Sequence, residues 1–315
     1  MNEKQKIDEK NGLLIDKYNE NVCFNEETHK YWNTKYRDLQ YISITTLIGK
    51  YHEKFDEDFW SSYKAIERIV GEKTFKNMSI RVMLLDIKRW KDDYLDMIDI
   101  DKDLFFKTKD DIKKEYDKKR TEACEKGTAY HLMRENQWYE KPKMKINEYI
   151  DSDIEFEVEK HNWDLNRENA ILPEYLIYFS TPDMVISLAG QIDLLVKNGN
   201  DLFILDYKSN ANGINSKAFY DKKTKSTKKM YYPIHHLEDT TFNHYALQLS
   251  FYAYMLQLKN PKFNIKQLTL LHNAGDGETK INVPYYKNEV KSLLIDMHKK
   301  AKLKYQREVL SEINN

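Results

Sequence analysis

The chain is poor in cysteine: only Cys23 and Cys124 occur among its 315 residues. Two cysteines this far apart provide neither a disulfide framework nor a zinc-binding pattern, and they exclude a four-cysteine iron–sulfur cluster. The sequence also lacks any apolar run near the roughly 20 residues that a membrane-spanning helix needs. Its N-terminus is polar and charged, which predicts no signal peptide. These absences predict a cytoplasmic protein that does not enter a membrane.

Net charge is also absent, because 51 Lys and Arg residues balance 51 Asp and Glu residues. Proteins that bind nucleic acid are often basic, so this balance counts mildly against a large non-specific DNA-binding surface. It does not exclude a local basic channel. Hydrophobic residues make up 41% of the chain and charged residues 32%. These values are ordinary for a globular protein, and the length allows one large domain or a core with an added subdomain.

Residues 190–209 predict a β-hairpin. Two short apolar runs, at residues 192–196 and 202–205, flank an Asn-Gly-Asn-Asp turn signal at residues 198–201. The remaining candidate residues are interpreted around this hairpin.

The length of the hairpin loop decides which side chains meet. A two-residue loop at Gly199 and Asn200 places Asp193 opposite Asp206, with Lys208 on the same face, because side chains alternate with period two. Shifting this loop by one residue makes the two aspartates diagonal neighbours on that face. A three-residue loop would place them on opposite faces, so the interpretation depends on the turn.

Two carboxylates and a lysine at the end of an apolar hairpin carry an electrostatic cost, because like charges repel and burial increases the cost. A hard divalent cation such as Mg²⁺ or Mn²⁺ would remove that cost, since both ions take carboxylate oxygens as ligands. The alternative is a solvated hairpin face with a Lys–Asp pair. The hairpin by itself favours neither interpretation.

Two predicted helices lie on either side of the hairpin in the sequence and carry further polar candidates. The first covers residues 110–138 and contains His131. The second covers residues 244–258 and has Gln248 and Tyr252 four residues apart, on one face.

A predicted strand at residues 170–180 leads into the hairpin and contains Glu174. This glutamate is either a further carboxylate near the aspartates or an edge-strand residue in solvent. Asp183, which follows a proline, is predicted to be a turn residue rather than part of the site.

Four motifs together resemble the PD-(D/E)XK nuclease superfamily, and most closely its RecB-like branch, which includes many phage exonucleases. In the order of that family they are G-x-x-x-H at residues 127–131, Asp193, D-Y-K at residues 206–208, and Q-x-x-x-Y at residues 248–252. A serine follows the lysine, where many relatives have threonine, and it keeps the hydroxyl group.

The resemblance implies metal-dependent hydrolysis of phosphodiester bonds. Asp193 and Asp206 would hold one or two Mg²⁺ or Mn²⁺ ions, with His131 and the carbonyl oxygen of Tyr207 as further ligands. Lys208 would position or help deprotonate the attacking water, or stabilise the transition state. Glu174, Gln248 and Tyr252 are expected to complete the active site.

The implied fold is an α/β restriction-endonuclease-like core, with a central mixed β-sheet flanked by helices and an N-terminal helical addition. The implied substrate is linear DNA, single- or double-stranded, in the host cytoplasm if the chain is phage-encoded. Participation in DNA recombination, a recombination or replication partner protein, and an oligomer remain open. The rival hypotheses are a catalytically inactive nucleic-acid-binding or scaffold protein that retains the fold, and an unrelated structural domain.

The expected domains are a flexible N-terminus at residues 1–20, an N-terminal hairpin and helical subdomain at residues 21–105, and a nuclease core at residues 106–315. Within the subdomain, a hairpin is predicted around residues 35–39, and Ser43 or a nearby threonine is predicted to cap the following helix.

The remaining patterns predict helices at residues 55–70, 74–97, 151–166 and 288–313, strands at 266–272 and 279–285, and a connection at 99–111. Residues 209–243 predict a long polar loop beside the site. Its lysines at residues 222–229 and its aromatic residues are predicted to contact DNA, with a mobile solvated loop as the alternative. Those aromatic residues are Tyr231, Tyr232, His235 and His236.

Overall fold

A computed structural model describes residues 6–7, 13–36, 39–77, 100–140, 143–145, 150, 155–157, 163–221, 225–275 and 277–313. The chain divides into two compact units. One consists of Met1–Glu53 and Ala129–Asn315, and the other of Lys54–Thr128. All residues of the predicted site belong to the first unit.

The described strands are β1 (Lys6–Ile7), β2 (Leu14–Ile15), β3 (Lys17–Asn19), β4 (Val22–Asn25), β5 (Lys30–Asn33), β6 (Ile42–Ser43), β7 (Lys143–Lys145), β8 (Glu155–Glu157), β9 (Asn169–Ser180), β10 (Ser187–Asn198), β11 (Asp201–Lys208), β12 (Tyr220–Asp221), β13 (Ser226–Thr227), β14 (Asn264–Asn273) and β15 (Glu278–Asn282). The described helices are α1 (Ile44–Ile48), α2 (Glu57–Val70), α3 (Glu72–Asn77), α4 (Lys102–Glu140), α5 (Thr241–Lys259) and α6 (Lys287–Ile313).

The core of the first unit is a mixed sheet in the order β15-β14-β11-β10, with β9 and β6 also paired to β10. β11 runs parallel to β14, and β6 runs parallel to β10, whereas the other pairs are antiparallel. Because β9 pairs along the length of β10, β6 and β11 must share the other edge of β10. β6 lies beside Leu188 and Ala189, and the pairing with β11 begins at Leu194. The sheet therefore opens on this edge around residues 190–193.

The predicted hairpin is confirmed in its register. Asn198 pairs with Asp201 and Leu194 pairs with Leu205, which leaves Gly199 and Asn200 as the two-residue loop. Gly199 has a φ of 57°, a left-handed conformation that glycine adopts without steric cost. Extending the register by one residue brings Asp193 opposite Asp206.

Helices cover both faces of this sheet within the first unit. On one face, Leu249, Phe251 and Leu256 of α5 belong to a large buried cluster that includes Ile204 of β11 and Leu268 of β14.

On the other face, Trp138 from the C-terminal part of α4 packs in a smaller cluster with Leu194, Phe203 and Leu205. The fold class predicted from the sequence, a mixed sheet flanked by helices, is confirmed.

The N-terminal strands β3, β4 and β5 form a separate antiparallel sheet. The side-chain amide of Asn19 donates to the backbone oxygen of Leu176 at 2.6 Å, which ties β3 to β9 of the main sheet. After β6, the hydroxyl of Ser43 accepts from the amide of Thr46 at 3.1 Å and caps α1. The capping prediction is therefore confirmed.

The predicted hairpin around residues 35–39 forms in a short version, because Trp32 makes an antiparallel bridge to Gln40 and the amide of Tyr41 donates to the carbonyl oxygen of Tyr31 at 3.3 Å. The preceding segment was predicted as one strand, but it is itself folded into the antiparallel pair β4 and β5, with a turn at residues 26–29. Asn25 explains this turn, since its side-chain oxygen accepts from the amide of Thr28 at 2.6 Å. Asparagine commonly nucleates turns in this way. β6, which follows this short hairpin, pairs with β10 of the main sheet.

Residues 155–157, predicted within a helix at 151–166, form strand β8 paired with β7. The local sequence alternates charged and apolar side chains with period two, a strand pattern that the helical interpretation overlooked. The predicted connection at residues 99–111 is also wrong, because α4 begins at Lys102 and runs unbroken to Glu140.

The predictions of a strand at residues 170–180, helices at 244–258 and 288–313 and the last two strands are confirmed by β9, α5, α6, β14 and β15. The predicted helix at 74–97 overlaps α3, but residues 78–99 lie outside the described residues. The same is true of residues 1–5 and 8–12 in the predicted flexible N-terminus, and of residues 222–224 in the long loop.

The second unit is helical in its described part. Asp56 caps α2 by accepting from the amide of Phe59 at 3.0 Å, and Ile66, Phe75 and Ile112 pack in its core. Across both units, no helix within the described residues is long and apolar enough to cross a membrane.

Candidate active site

The candidate site lies at the point along β10 where the neighbouring strand on one edge changes from β6 to β11. Asp193 is buried at this point. Three residues earlier, Gly190 faces the ring of Tyr252 on α5. A Cβ atom at Gly190 would lie 2.5 Å from Tyr252 Cε1, so only glycine allows α5 to approach the sheet this closely. The opening in the sheet and the approach of α5 thus occur at one place.

Three side chains converge beside this opening. His131, from α4, Glu174, from β9, and Asp193 each bring a potential ligand atom to within 4.8 Å of the others. The Nδ1 atom of His131 lies 3.5 Å from Asp193 Oδ2, and its Nε2 atom lies 3.1 Å from the carbonyl oxygen of Tyr207. One imidazole, two carboxylates and a backbone carbonyl therefore lie together.

Glu174 has an unusual backbone conformation for a strand residue. Its φ is 52°, in the left-handed region that is costly for any residue except glycine. Its carboxylate is buried, accepts a hydrogen bond from the side-chain amide of Gln191, and faces Asp193. Burial, followed by repulsion from Asp193, raises the pKa of Glu174 well above its usual value. A strained backbone and a carboxylate with a strongly shifted pKa at the same residue are typical of functional sites.

Asp206, which is buried, and Lys208, whose side chain is 15% exposed, form an ion pair at the end of β11 between Asp206 Oδ2 and Lys208 Nζ. Burial raises the pKa of Asp206 to about 6, and Lys208 opposes this effect. Burial alone would lower the pKa of Lys208, but attraction to Asp206 and Asp193 raises it overall. The lysine is therefore held in its charged form.

Gln248 fixes the other oxygen of Asp206. Its side-chain amide donates to Asp206 Oδ1 at 3.1 Å and lies 3.1 Å from the hydroxyl oxygen of Tyr252. The ring of Tyr245, on the same helix, lies 4.7 Å from Lys208 Nζ. Helix α5 thus contacts both members of the Asp206–Lys208 pair.

Tyr207 contacts residues of both β10 and α4 at the site. Its backbone amide donates to Asp193 Oδ2 at 2.6 Å, and its carbonyl oxygen faces His131. Its buried hydroxyl accepts a hydrogen bond of 2.8 Å from the indole of Trp138. The side chain is thus anchored against α4, which fixes the backbone atoms that meet Asp193 and His131.

Lys17 reaches the site from β3, and nothing in its sequence context predicted it. Its Nζ atom lies 3.6 Å from Glu174, 3.8 Å from Glu135 and 3.0 Å from Glu26. Burial by itself would lower the pKa of Lys17, but these carboxylates raise it overall. Only the pairing of β3 with β4 and its attachment to β9 bring this lysine to the site.

The donor set fits a hard divalent cation. Glu174 and Asp193 offer carboxylate oxygens, Tyr207 offers a carbonyl oxygen, and His131 offers an imidazole nitrogen. Mg²⁺ and Mn²⁺ prefer oxygen donors of these kinds, and Mn²⁺ also accepts imidazole. Burial, followed by repulsion from Asp193, raises the pKa of Glu174, and a bound cation would oppose both effects. Asp206, the other predicted ligand, is adjacent but is engaged by Lys208 and Gln248.

The aromatic residues of the long loop that were predicted to contact DNA occupy exposed positions. Tyr231, Tyr232, His235 and His236 are solvent-accessible. The rings of Tyr232 and His235 stack with centroids 6.1 Å apart, and His236 Nε2 lies 3.0 Å from Glu289. Asp183 lies in the turn between β9 and β10, as predicted, where it contacts His298 at 2.8 Å.

A second group of potential ligands consists of His52, Asp239 and His244, whose ligand atoms also lie within 4.8 Å of one another. His244 Nε2 is 2.8 Å from Asp239 Oδ1, and the two imidazole rings stack with centroids 4.2 Å apart and planes 25° apart. Lys228 Nζ lies 3.4 Å from the other oxygen of Asp239.

The family comparison covers most of these elements. The model of the PD-(D/E)XK nuclease superfamily matches residues 105–304, well over half of the chain. No curated protein matches the chain. The matched segment contains His131, Asp193 and the 206–208 motif. In the structure these residues lie on or beside a mixed sheet with helices on both faces. The chain therefore belongs to the PD-(D/E)XK nuclease superfamily.

Proposed function

We propose that the protein is a Mg²⁺- or Mn²⁺-dependent deoxyribonuclease that hydrolyses phosphodiester bonds, of the RecB-like, phage-type exonuclease kind that acts on linear DNA. The observation that carries this proposal is the position of the Asp206–Lys208 pair beside the cluster of His131, Glu174 and Asp193. A buried acid paired with a partly exposed lysine, next to convergent ligands, is suited to phosphoryl chemistry.

The residues that would hold the cation are His131, Glu174, Asp193 and the carbonyl oxygen of Tyr207, with Asp206 on the adjoining strand. The cation supplies a lowered pKa for its bound water and neutralises charge on the phosphate. The amide of Tyr207 orients Asp193, and Gln191 orients Glu174, so both carboxylates are fixed before a ligand binds.

Lys208 is suited to an electrostatic role. Its raised pKa means that the ammonium keeps its proton at neutral pH, which disfavours service as the general base. A protonated lysine donates hydrogen bonds to the attacking water and to a phosphate oxygen that gains negative charge in the transition state. The ring of Tyr245 and the carboxylate of Asp206 hold the ammonium for this purpose.

The Gln248–Tyr252 pair supports the RecB-like assignment. In the sequence this pair resembles the Q-x-x-x-Y motif of that branch, and in the structure Gln248 holds Asp206 while Tyr252 packs against Gly190. The role inferred for both residues is to position Asp206, since neither side chain carries a charge at neutral pH.

The rival function is an inactive DNA-binding protein with the same fold. The connected polar network argues against it, because Asp193, Asp206 and Lys208 are all present and each has its partners. Loss of selection for catalysis removes the need to keep two buried carboxylates close together beside a lysine, which is a costly arrangement.

The test uses labelled linear and closed-circular DNA, each single- and double-stranded, with Mg²⁺ or Mn²⁺. Wild-type protein is compared with Lys208→Ala and Asp193→Asn. Cleavage of linear DNA alone, absent in both variants, is the expected result. Cleavage of circles would replace the exonuclease proposal with an endonuclease. DNA binding without cleavage by the wild type under every condition would favour the rival function.

A further inference from the structure

The counter-charge for Glu174 comes from outside the segment that matches the family. Lys17 lies on β3, whereas the match begins at residue 105. Its side chain is only 7% exposed, and its Nζ atom lies 3.6 Å from the Glu174 carboxylate and 3.8 Å from that of Glu135. A lysine this deeply buried needs partners that compensate the loss of water, and for Lys17 those partners are carboxylates.

The backbone of Lys17 is held in place by contacts of its strand with neighbouring strands. Lys17 pairs with Phe24 in the N-terminal sheet, and Asn19 on the same strand bonds to Leu176 of β9. Leu176 is two residues from Glu174 on β9. The ammonium group is therefore held beside Glu174 by the fold itself.

Glu174 lies between two positive charges when the active site is loaded. Lys17 contacts its carboxylate, and the same carboxylate belongs to the cluster with His131 and Asp193 that would hold the cation. Two cations that share one carboxylate repel each other, and this repulsion is weakly screened at a buried site.

We propose that Lys17 is a built-in counter-cation of the metal centre, which pairs with Glu174 in the metal-free protein and lowers the affinity of the site for its divalent ion. This inference rests on the proposed metal-dependent function. Through Lys17, the N-terminal sheet would determine the concentration of divalent ion at which the site becomes occupied. Lys17 is a positioning residue in this scheme and takes no part in the chemical step.

Lys197 provides a matched control. It is also a buried lysine, 5% exposed, and lies on β10 of the main sheet. Its Nζ atom bonds to the backbone oxygens of Arg167 and Glu168, at 2.6 Å and 3.1 Å, instead of to site carboxylates. Its replacement removes a buried ammonium without changing the charge around Glu174.

The experiment measures Mn²⁺ binding by isothermal titration calorimetry in the full-length wild type and in Lys17→Met, Lys17→Arg and Lys197→Met. Lys17→Met is expected to bind Mn²⁺ about tenfold more tightly, since a unit charge a few ångströms from a divalent ion changes affinity by at least this much even with the screening of water. Lys17→Arg, which keeps the charge, and Lys197→Met are expected to bind like the wild type.

Thermal unfolding gives a second readout that a purely structural lysine would not move. Lys17→Met should lower the melting temperature more in EDTA than in saturating Mn²⁺, because the metal replaces the missing charge. Equal losses in both conditions, or Mn²⁺ affinity that is unchanged or weaker in Lys17→Met, would overturn the inference. Should Lys17→Met fail to fold, Lys17→Gln carries the same expectation.

The design separates this inference from the proposed function. A wild type that binds Mn²⁺ and cleaves DNA, together with a Lys17→Met variant of unchanged affinity, refutes only the role of Lys17. A wild type that binds no Mn²⁺ overturns the metal-dependent function and the role of Lys17 together.

Discussion

Two clusters of the molecule have nearly the same ligand chemistry and very different surroundings. His131, Glu174 and Asp193 form one, and His52, Asp239 and His244 form the other. In the first, the ligands come from three elements that meet at the opening of the central sheet. In the second, the two imidazoles stack on each other beside one carboxylate.

Ring geometry separates the two clusters. A metal ion lies in the plane of each imidazole that binds it, along the lone pair of the ring nitrogen. The planes of His52 and His244 are only 25° apart and their centroids 4.2 Å apart, so both rings cannot direct a lone pair at one ion without moving. Proximity of potential ligands is thus a weaker criterion than convergence of their lone pairs.

The second cluster has a structural explanation. Asp239 directly precedes Thr240, the cap of α5, and its carboxylate meets both Lys228 and His244. A carboxylate at a helix N-terminus is stabilised by the helix dipole. We therefore interpret this cluster as a set of polar contacts that stabilises the N-terminus of α5.

The largest expected difference is in catalysis. Lys208→Ala and Asp193→Asn should each lower the cleavage rate by about 10³-fold, because the first removes a positive charge beside the reacting phosphate and the second removes a ligand of the cation. Asp239→Asn and His244→Asn should cleave at nearly the wild-type rate. Rates are measured on labelled linear DNA in Mg²⁺. A loss in His244→Asn as large as that in Asp193→Asn would make the second cluster part of the active site.

Metal binding gives the next largest contrast. Ca²⁺ at about 100 times its Kd should stabilise the wild type by about 2.7 kcal/mol, and it should stabilise Asp239→Asn to the same extent. Asp193→Asn should lose this stabilisation, because it removes a ligand from the first cluster. Thermal unfolding with and without Ca²⁺ measures the effect. Stabilisation that is lost in Asp239→Asn and kept in Asp193→Asn would reverse the assignment.

Helix α5 carries His244 of the second cluster and Tyr252 of the active site, so its fit against the sheet matters to both. Gly190→Ala would bring a Cβ atom to 2.5 Å from the Tyr252 ring and should destabilise the protein by about 1–3 kcal/mol, as overpacking of cores does. Gly49→Ala, whose Cβ meets nothing nearer than 3.4 Å, is the control. Urea unfolding compares the variants, and equal stability of both would show that α5 adjusts freely.

The sequence predicted the parts of the site that depend on local rules. The Asn-Gly turn and the period of two located Asp193 opposite Asp206, and helical spacing placed Gln248 and Tyr252 on one face. These patterns involve residues close in the chain or motifs of known order. The mixed sheet followed from the resemblance that those motifs carry.

Other features depend on contacts between distant segments. Lys17 lies more than 150 residues before Glu174, and no spacing rule connects them. The left-handed backbone of Glu174 is imposed by its place in the sheet rather than by its residue type. The two alternatives left open for Glu174, a site carboxylate or a solvated edge residue, differ in burial, and its carboxylate is buried.

The smallest expected effect is a pH dependence that arises in the second cluster. Burial, followed by repulsion from His52, lowers the pKa of His244 below its usual value, while Asp239 opposes and Lys228 reinforces the shift. The unfolded chain then binds the proton more readily than the folded protein. Stability from this residue is complete above the ordinary histidine pKa of about 6.5 and is lost as the pH falls through the lower, folded-state pKa.

His244→Asn removes this contribution, so its free energy of unfolding should fall less than that of the wild type between pH 7.5 and 5. Urea unfolding in EDTA at several pH values measures the difference, with His235→Asn, at an exposed histidine, as the control. A metal held by His52, Asp239 and His244 would predict a different result. Zn²⁺ added at pH 7.5 would then stabilise the wild type and Asp193→Asn equally, and His244→Asn would lose that stabilisation. Because the stacked rings cannot share an ion, we expect Zn²⁺ to stabilise the wild type and His244→Asn equally, and to stabilise Asp193→Asn less.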